Sequence, residues 1–161
     1  DKEYFINFEG VAPSFFLWVN GAFVGYSQVS HCTSEMNITE ELKDGENLFE
    51  VLVVKQCDGS YLEDQDFFRL SGIFREVYIL ERDSTRIVDF YADADVNENL
   101  DTAEINVTAQ LTNKATVGWE IYGPDGALAE KGTSDGNFKI EIKNPVLWNY
   151  ENPQTWSWGN T

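Results

Sequence analysis

Cysteine is scarce: the 161-residue chain has only Cys32 and Cys57, together with one methionine, one histidine and four prolines. Two cysteines without metal-ligand spacing exclude a disulfide framework and a thiolate metal site, and they leave the compartment open. His31 is solitary, so no Ser-His-Asp triad and no histidine metal cluster is implied, and it reads as a loop residue. Basic residues are few as well, 11 against 28 acids, for a formal net charge of −17. A chain so short of Lys and Arg lacks the clustered cations that displace counterions, which excludes a nucleic-acid partner and an anionic-membrane partner. No apolar run approaches the length of a membrane span, and the opening Asp-Lys-Glu-Tyr is no signal core. Neither Gly-x-Gly-x-x-Gly nor Gly-Lys-Ser/Thr occurs, so no phosphate cradle is expected. Because residue 1 is Asp and the sequence stops inside Trp156-Ser157-Trp158, a longer parent is expected.

Aromatic residues are abundant: Phe 11, Tyr 7 and Trp 5, within a hydrophobic fraction of 42%. That is too much apolar surface for a disordered acidic tail, and the length suffices for a real core. The pattern has a short period. Ser14 to Val19, Ala22 to Tyr26, Leu48 to Val54 and Gly72 to Leu80 have strand length and composition. Asn20-Gly21 predicts a type I′ hairpin over Phe15 to Tyr26, because that turn needs positive φ at both central residues. Thr39-Glu40-Glu41-Leu42-Lys43, with acids first and Gly45 after, predicts one helical turn. After a polar pause at Glu81-Arg82-Asp83-Ser84, Ile87 to Ala92, Ala103 to Thr112, Val117 to Tyr122 and Phe138 to Ile142 resume the strand pattern, with a turn at Pro124-Asp125-Gly126. The pause places a domain boundary near Arg82. The fold class expected is all-β, with one unit over residues 1–82 and a second sandwich over 83–161.

Residues 58–80 concentrate the chemistry. Asp58, Glu63, Asp64 and Asp66 precede Arg69 and Arg75. In a strand, Asp64 and Asp66 would share a face opposite Gln65 and Phe67. Two carboxylates on one face raise each other's proton affinity unless a cation intervenes. The residues alone fit an edge strand studded with charge against mispairing, the simpler reading, or a site for a hard cation or a polyol.

Several blocks together resemble the N-terminal part of large microbial β-galactosidases of glycoside hydrolase family 2. They are Phe-Leu-Trp-Val-Asn-Gly with Val-Gly-Tyr-Ser-Gln (16–28), Gly-Glu-Asn (45–47), Asp-Gly-Ser-Tyr-Leu-Glu-Asp-Gln-Asp through Ser-Gly-Ile-Phe-Arg (58–75), and Asn-Pro-Val-Leu-Trp with Glu-Asn-Pro (144–153). The resemblance implies a partial sugar-binding jelly roll up to residue 82, then an immunoglobulin-like sandwich truncated at its C-terminus. It implies β-galactoside as substrate and a downstream (β/α)₈ barrel holding both catalytic glutamates. Such a barrel takes ~250 residues, so it lies outside this chain, which should be inactive alone. The alternative is a stand-alone carbohydrate-binding module or a structural interaction module. Asp66, the last acid of Glu-Asp-Gln-Asp, matches the family's aspartate that holds galactose and a sodium ion at the sugar's C6 hydroxyl. No cofactor is expected in this chain. Sodium, with magnesium as a further candidate, is implied for the parent enzyme. The family's partnering asparagine would precede residue 1, and an aromatic Tyr is usual where Trp156 stands. Incomplete sheets leave edges, so self-association through unpaired strands is expected.

Asp93 to Glu104 spaces oxygen ligands like an EF-hand loop, but Glu98 stands where that loop needs Gly. It reads as an acidic strand-to-strand turn. Trp148, Tyr150, Trp156 and Trp158, like Phe16 and Trp18, read as buried packing in preference to a sugar-stacking platform. The acceptor triplets at Asn37 and Asn106 carry little weight.

Overall fold

The computed structural model describes residues 2–62, 66, 68–148, 150 and 151. The described chain is all-β apart from one short helix, and it divides into two compact units between Ser84 and Thr85.

In the first unit, β1 (Lys2–Phe8) lies between β5 (Ser34–Asn37) and β8 (Val77–Asp83), and β3 (Ser14–Val19) lies between β4 (Ala22–Ser27) and β6 (Phe49–Val54). A two-residue pair, β2 (Val11–Ala12) with β7 (Gly72–Ile73), completes the unit, and every pairing is antiparallel. Strand alternation builds the core. Ile6 and Phe8 from β1 meet Phe15, Leu17 and Val19 from β3, with Val11 and Ile38 closing the ends. Phe8 and Phe15 touch across the two sheets with ring centroids 4.6 Å apart. Each such side chain contributes roughly 1.5–3 kcal/mol by leaving water. On the other face of β1, Phe5 is covered by the Arg82 guanidinium at 4.8 Å, which Glu35 holds with two 2.6 Å hydrogen bonds.

The hairpin turn forms as the sequence predicts, with φ of 52° at Asn20 and 84° at Gly21. Asn20 also ties the turn to the loop that enters β6. Its Nδ2 donates to the Glu41 carbonyl at 2.7 Å and to Asn47 Oδ1 at 2.8 Å, and its Oδ1 accepts from the Leu48 N–H at 3.0 Å. Asn47 in turn donates to the carbonyls of Lys43 and Gly45, which gives the Gly-Glu-Asn block its structural role. The helical turn expected over residues 39–43 stops after one 3.2 Å turn bond, from Glu41 N–H to the Ile38 carbonyl. The Lys43 N–H, which a helix would aim back at Thr39, goes to Asn47 Oδ1 at 2.9 Å. A helix lies instead at α1 (Asp58–Leu62), which corrects the strand reading over those five residues. There the Cys57 N–H donates to Ser60 Oγ at 3.1 Å and the Ser60 N–H to the Cys57 carbonyl at 3.0 Å, a local closure that competes with strand pairing. The expected strand Gly72 to Leu80 is two, β7 and β8, interrupted by residues 74–76.

In the second unit, β10 (Thr102–Leu111) lies between β13 (Asn137–Lys143) and β9 (Ile87–Val96), and β11 (Val117–Tyr122) pairs with β12 (Leu128–Ser134). Trp119 stacks on Phe138 at 4.9 Å and 6°, joining the hairpin to the three-stranded sheet over buried Ile140 and Ala103. The acidic stretch from Asp93 to Glu104 is the end of β9, a turn over residues 97–101 and the start of β10. Asn97 Oδ1 accepts from the N–H groups of Asp101 and Thr102, and Leu100 takes φ 61°. Of the C-terminal aromatics, Trp148 is 64% and Tyr150 82% exposed, against the expectation of burial. Both follow β13 and belong to no strand, so no ladder presses them onto a sheet among the described residues, while Trp156 and Trp158 lie outside those residues.

Two stability outcomes follow from this packing. Leu17→Ala, at a fully buried site on β3, should lower the unfolding free energy by about 2–5 kcal/mol in urea titration, whereas Leu52→Ala on the outer face should stay within about 0.5 kcal/mol. Glu9 accepts from the Tyr78 hydroxyl and, at 3.0 Å, from Thr33 Oγ1, and these bonds hold its carboxyl below the usual glutamate range. A lowered folded-state value contributes stability above the unfolded value and loses it as pH falls through the folded one. The stability difference between wild type and Glu9→Gln should therefore be full at neutral pH and shrink in acid, as read by thermal melts across pH.

Candidate functional site

Asp66, the residue the sequence singles out, sits in an exposed bend beyond α1. Its carboxylate makes no hydrogen bond or ion pair among the described residues. Glu63, Asp64, Gln65 and Phe67 lie outside the described residues, and with them the face expected to be shared by Asp64 and Asp66. Around it the chain presents apolar groups to solvent: Tyr61 is 75% exposed, Leu62 87%, Phe68 94% and Leu70 82%. Four large apolar side chains in one short exposed stretch mark an interaction surface, since isolated soluble surfaces carry such groups singly. Charge patterning had drawn attention to the acids of this block, and it gave no sign of the apolar side chains beside them.

The base of the segment is anchored to the first sandwich. Cys57 Sγ lies 3.9 Å from the Pro13 carbonyl and 3.7 Å from Ser60 Oγ. Burial pushes the thiol up, but hydrogen bonding to Ser60 opposes it, and the thiol lies below its ordinary value. Arg69 donates to the Ser60 carbonyl and bends the chain back toward α1. Pro13, His31, Lys55, Ser60, Tyr61 and Arg69 border a concavity of about 340 Å³ at this base.

Both arginines of the block donate to backbone carbonyls. Arg75 donates to the carbonyls of Glu9 at 3.4 Å and His31 at 3.2 Å, while its guanidinium lies 5.3 Å from the Phe74 ring. Phe74 in turn packs where a side chain at Gly10 would stand, 2.7 Å from the position of its Cβ. Ser-Gly-Ile-Phe-Arg is thus a clamp that fixes the far end of the segment to the β1–β2 connection. His31 is exposed in a turn, its Nδ1 3.0 Å from Ser30 Oγ, in keeping with the loop reading. Among the described residues, no group of three His, Cys, Asp or Glu side chains is placed to hold a metal ion. One carboxylate with open coordination can contribute to a cation site only together with ligands from elsewhere.

Comparison with known proteins bears on the family and the fold. Residues 1–83 match the family model of the glycosyl hydrolases family 2 sugar binding domain. The chain is 44% identical over 152 residues to a β-galactosidase of Staphylococcus xylosus, covering 94% of this chain and 15% of the relative. It is 42% identical over 157 residues to a β-galactosidase of Actinobacillus pleuropneumoniae, covering 97% and 16%. Among solved structures, Parabacteroides merdae β-glucuronidase aligns with a TM-score of 0.73 at 20% identity over 95% of this chain and 22% of its own. Bacteroides uniformis β-glucuronidase 3 aligns at 0.75 and 15%, over 94% and 21%. At such identities these structures speak for the fold, an all-β pairing of partial jelly roll and immunoglobulin-like sandwich. With the sugar-binding-domain match spanning the first unit and the β-galactosidase likeness running through both, the chain belongs to glycosyl hydrolase family 2.

Proposed function

We propose that this chain is a non-catalytic N-terminal part of a retaining β-galactosidase, giving the enzyme its first two domains and one residue of the substrate site. Residues 1–82 are the sugar-binding jelly-roll part and 83–161 the immunoglobulin-like part. The chain spans about 15% of the length of the S. xylosus relative, so the activity belongs to a longer polypeptide. A retaining enzyme needs two carboxyl groups about 5–5.5 Å apart across the glycosidic bond, and in this reading both stand in a downstream barrel.

The observation that carries the reading is the state of Asp66. Its carboxylate, without a hydrogen bond or ion pair among the described residues, sits on a segment whose Leu62, Phe68 and Leu70 are almost wholly in water, while both ends of that segment are tied down. Such a segment is suited to insertion against another protein surface. There Leu62, Phe68 and Leu70 leave water, and Asp66 is delivered to a fixed position. A carboxylate accepts hydrogen bonds from a sugar hydroxyl and ligates a hard cation, so Asp66 would hold the galactose C6 hydroxyl and a sodium ion completed by ligands outside this chain. Its role is positioning substrate, since no bond is made or broken at it.

In the longer enzyme, Asp66→Asn should lower kcat/KM by about ten- to a hundredfold, the loss of one charge-assisted contact of about 1.5–3 kcal/mol, and should blunt the response to sodium. The melting temperature should hardly move, because the exposed carboxylate has no hydrogen-bond or ion-pair partner among the described residues. Unchanged kinetics and sodium response would remove Asp66 from the site.

A further inference from the structure

The outer face of the hairpin sheet is the second unexplained surface of the first unit. Cross-strand register places Tyr26, Phe16 and Leu52 in one row and Phe23, Trp18 and Glu50 in the next. Phe23 is 57%, Leu52 55% and Tyr26 43% exposed, so this is a continuous apolar face rather than scattered side chains. Phe16 and Trp18, which the sequence reads as packing residues, are half-buried here among their own neighbours, and the fully buried face of β3 is the alternate one, Phe15, Leu17 and Val19.

Three candidate occupants can be weighed on geometry and charge. A sugar ring stacks on an open aromatic face, but these rings lean on one another. Phe16 meets Tyr26 at 4.6 Å and 43°, and Trp18 meets Phe23 at 5.6 Å and 56°, so the faces are turned inward. A second copy would bring together two chains of formal charge −17. The acidic end of the face sharpens that objection. Glu50 lies on it, and the loop bearing exposed Asp44 and Glu46 is bound to the same hairpin turn through Asn20. A segment of the same longer polypeptide meets neither difficulty. The family relatives extend about sixfold beyond the matched length, and a tethered partner meets the face at ~mM effective concentration.

We infer that the Phe16–Trp18–Phe23–Tyr26–Leu52 face is the seat of a downstream part of the parent polypeptide, an apolar surface with Lys or Arg opposite Glu50. This rests on the reading that the chain is the N-terminal part of a longer enzyme. Herringbone packing of the rings makes a rigid, ready-formed surface, which keeps the ordering cost of docking small. The seat is separate from the Asp66 segment, so the chain would be held at one place and deliver its carboxylate at another.

Hydroxyl-radical footprinting tests the inference by comparing the product of the complete reading frame with the 161-residue chain alone. Trp18, Phe23 and Tyr26 should be modified several-fold more slowly in the longer polypeptide, at a rate independent of protein concentration and of added galactose. Phe23→Asp should return Trp18 and Tyr26 in the longer polypeptide to the rate seen in the short chain, while leaving the melting temperature of the short chain unchanged. Equal modification in the two proteins would overturn the inference. Protection that appears only with galactose would reassign the face to sugar, and protection of the short chain that rises with its own concentration would reassign it to a second copy; either result also overturns it. β-Galactosidase activity, assayed separately, distinguishes the two readings. An active longer enzyme with an unprotected face contradicts only this inference, and a protected face on an inactive one contradicts only the proposed function.

Discussion

Alternation along a single strand governs the first unit. Successive side chains of β3 point to opposite faces, so Phe15, Leu17 and Val19 must enter the core if Phe16 and Trp18 leave it. The central place of β3 in its sheet lets those three side chains reach β1, where the Phe8–Phe15 contact joins the two layers. A one-residue slip would put Phe16 and Trp18 inside and expose Leu17. Two features prevent it: the two-residue Asn20-Gly21 turn, which fixes the hairpin, and the Asn20 side chain, which locks that turn to the loop before β6.

Much of this frame was legible in the sequence because it depends on local chemistry. Asn-Gly demands a turn with positive φ, period-two apolar runs demand strands, and the polar pause at 81–84 coincides with the division into two units. What escaped the reading depends on partners distant in sequence. Thr39 to Lys43 carries good helix signals, yet Asn47 captures the Lys43 N–H and Thr39 is engaged by the Tyr4 N–H at 2.8 Å. Which face of β3 is inside could not be decided from that strand, since both alternating sets are apolar; β1 and Ile38 decide it. Trp148 and Tyr150 show the converse case, large rings whose burial requires a covering element.

For the candidate site the division was similar. The Asp-rich block was recognisable as a motif, and the resemblance gave Asp66 its expected role. The clamp around it was not visible as chemistry. Arg69 and Arg75 sit among carboxylates in sequence, yet both donate to backbone carbonyls and fix the two ends of the segment. The formal charge of −17 and the exposed Asp66 carboxylate favour cationic or polyol company at the tip. The exposed Leu62, Phe68 and Leu70 favour a protein surface around it. A sugar site completed by a second domain satisfies both demands.

The most direct measurement is the structure of the complete reading-frame product with galactose and sodium bound. The account predicts an Asp66 carboxylate oxygen about 2.5–3.0 Å from the sugar's C6 hydroxyl oxygen and in contact with the sodium ion, with Leu62, Phe68 and Leu70 buried against a downstream domain. A bound galactose whose contacts all come from elsewhere, with Asp66 still in solvent, would contradict it.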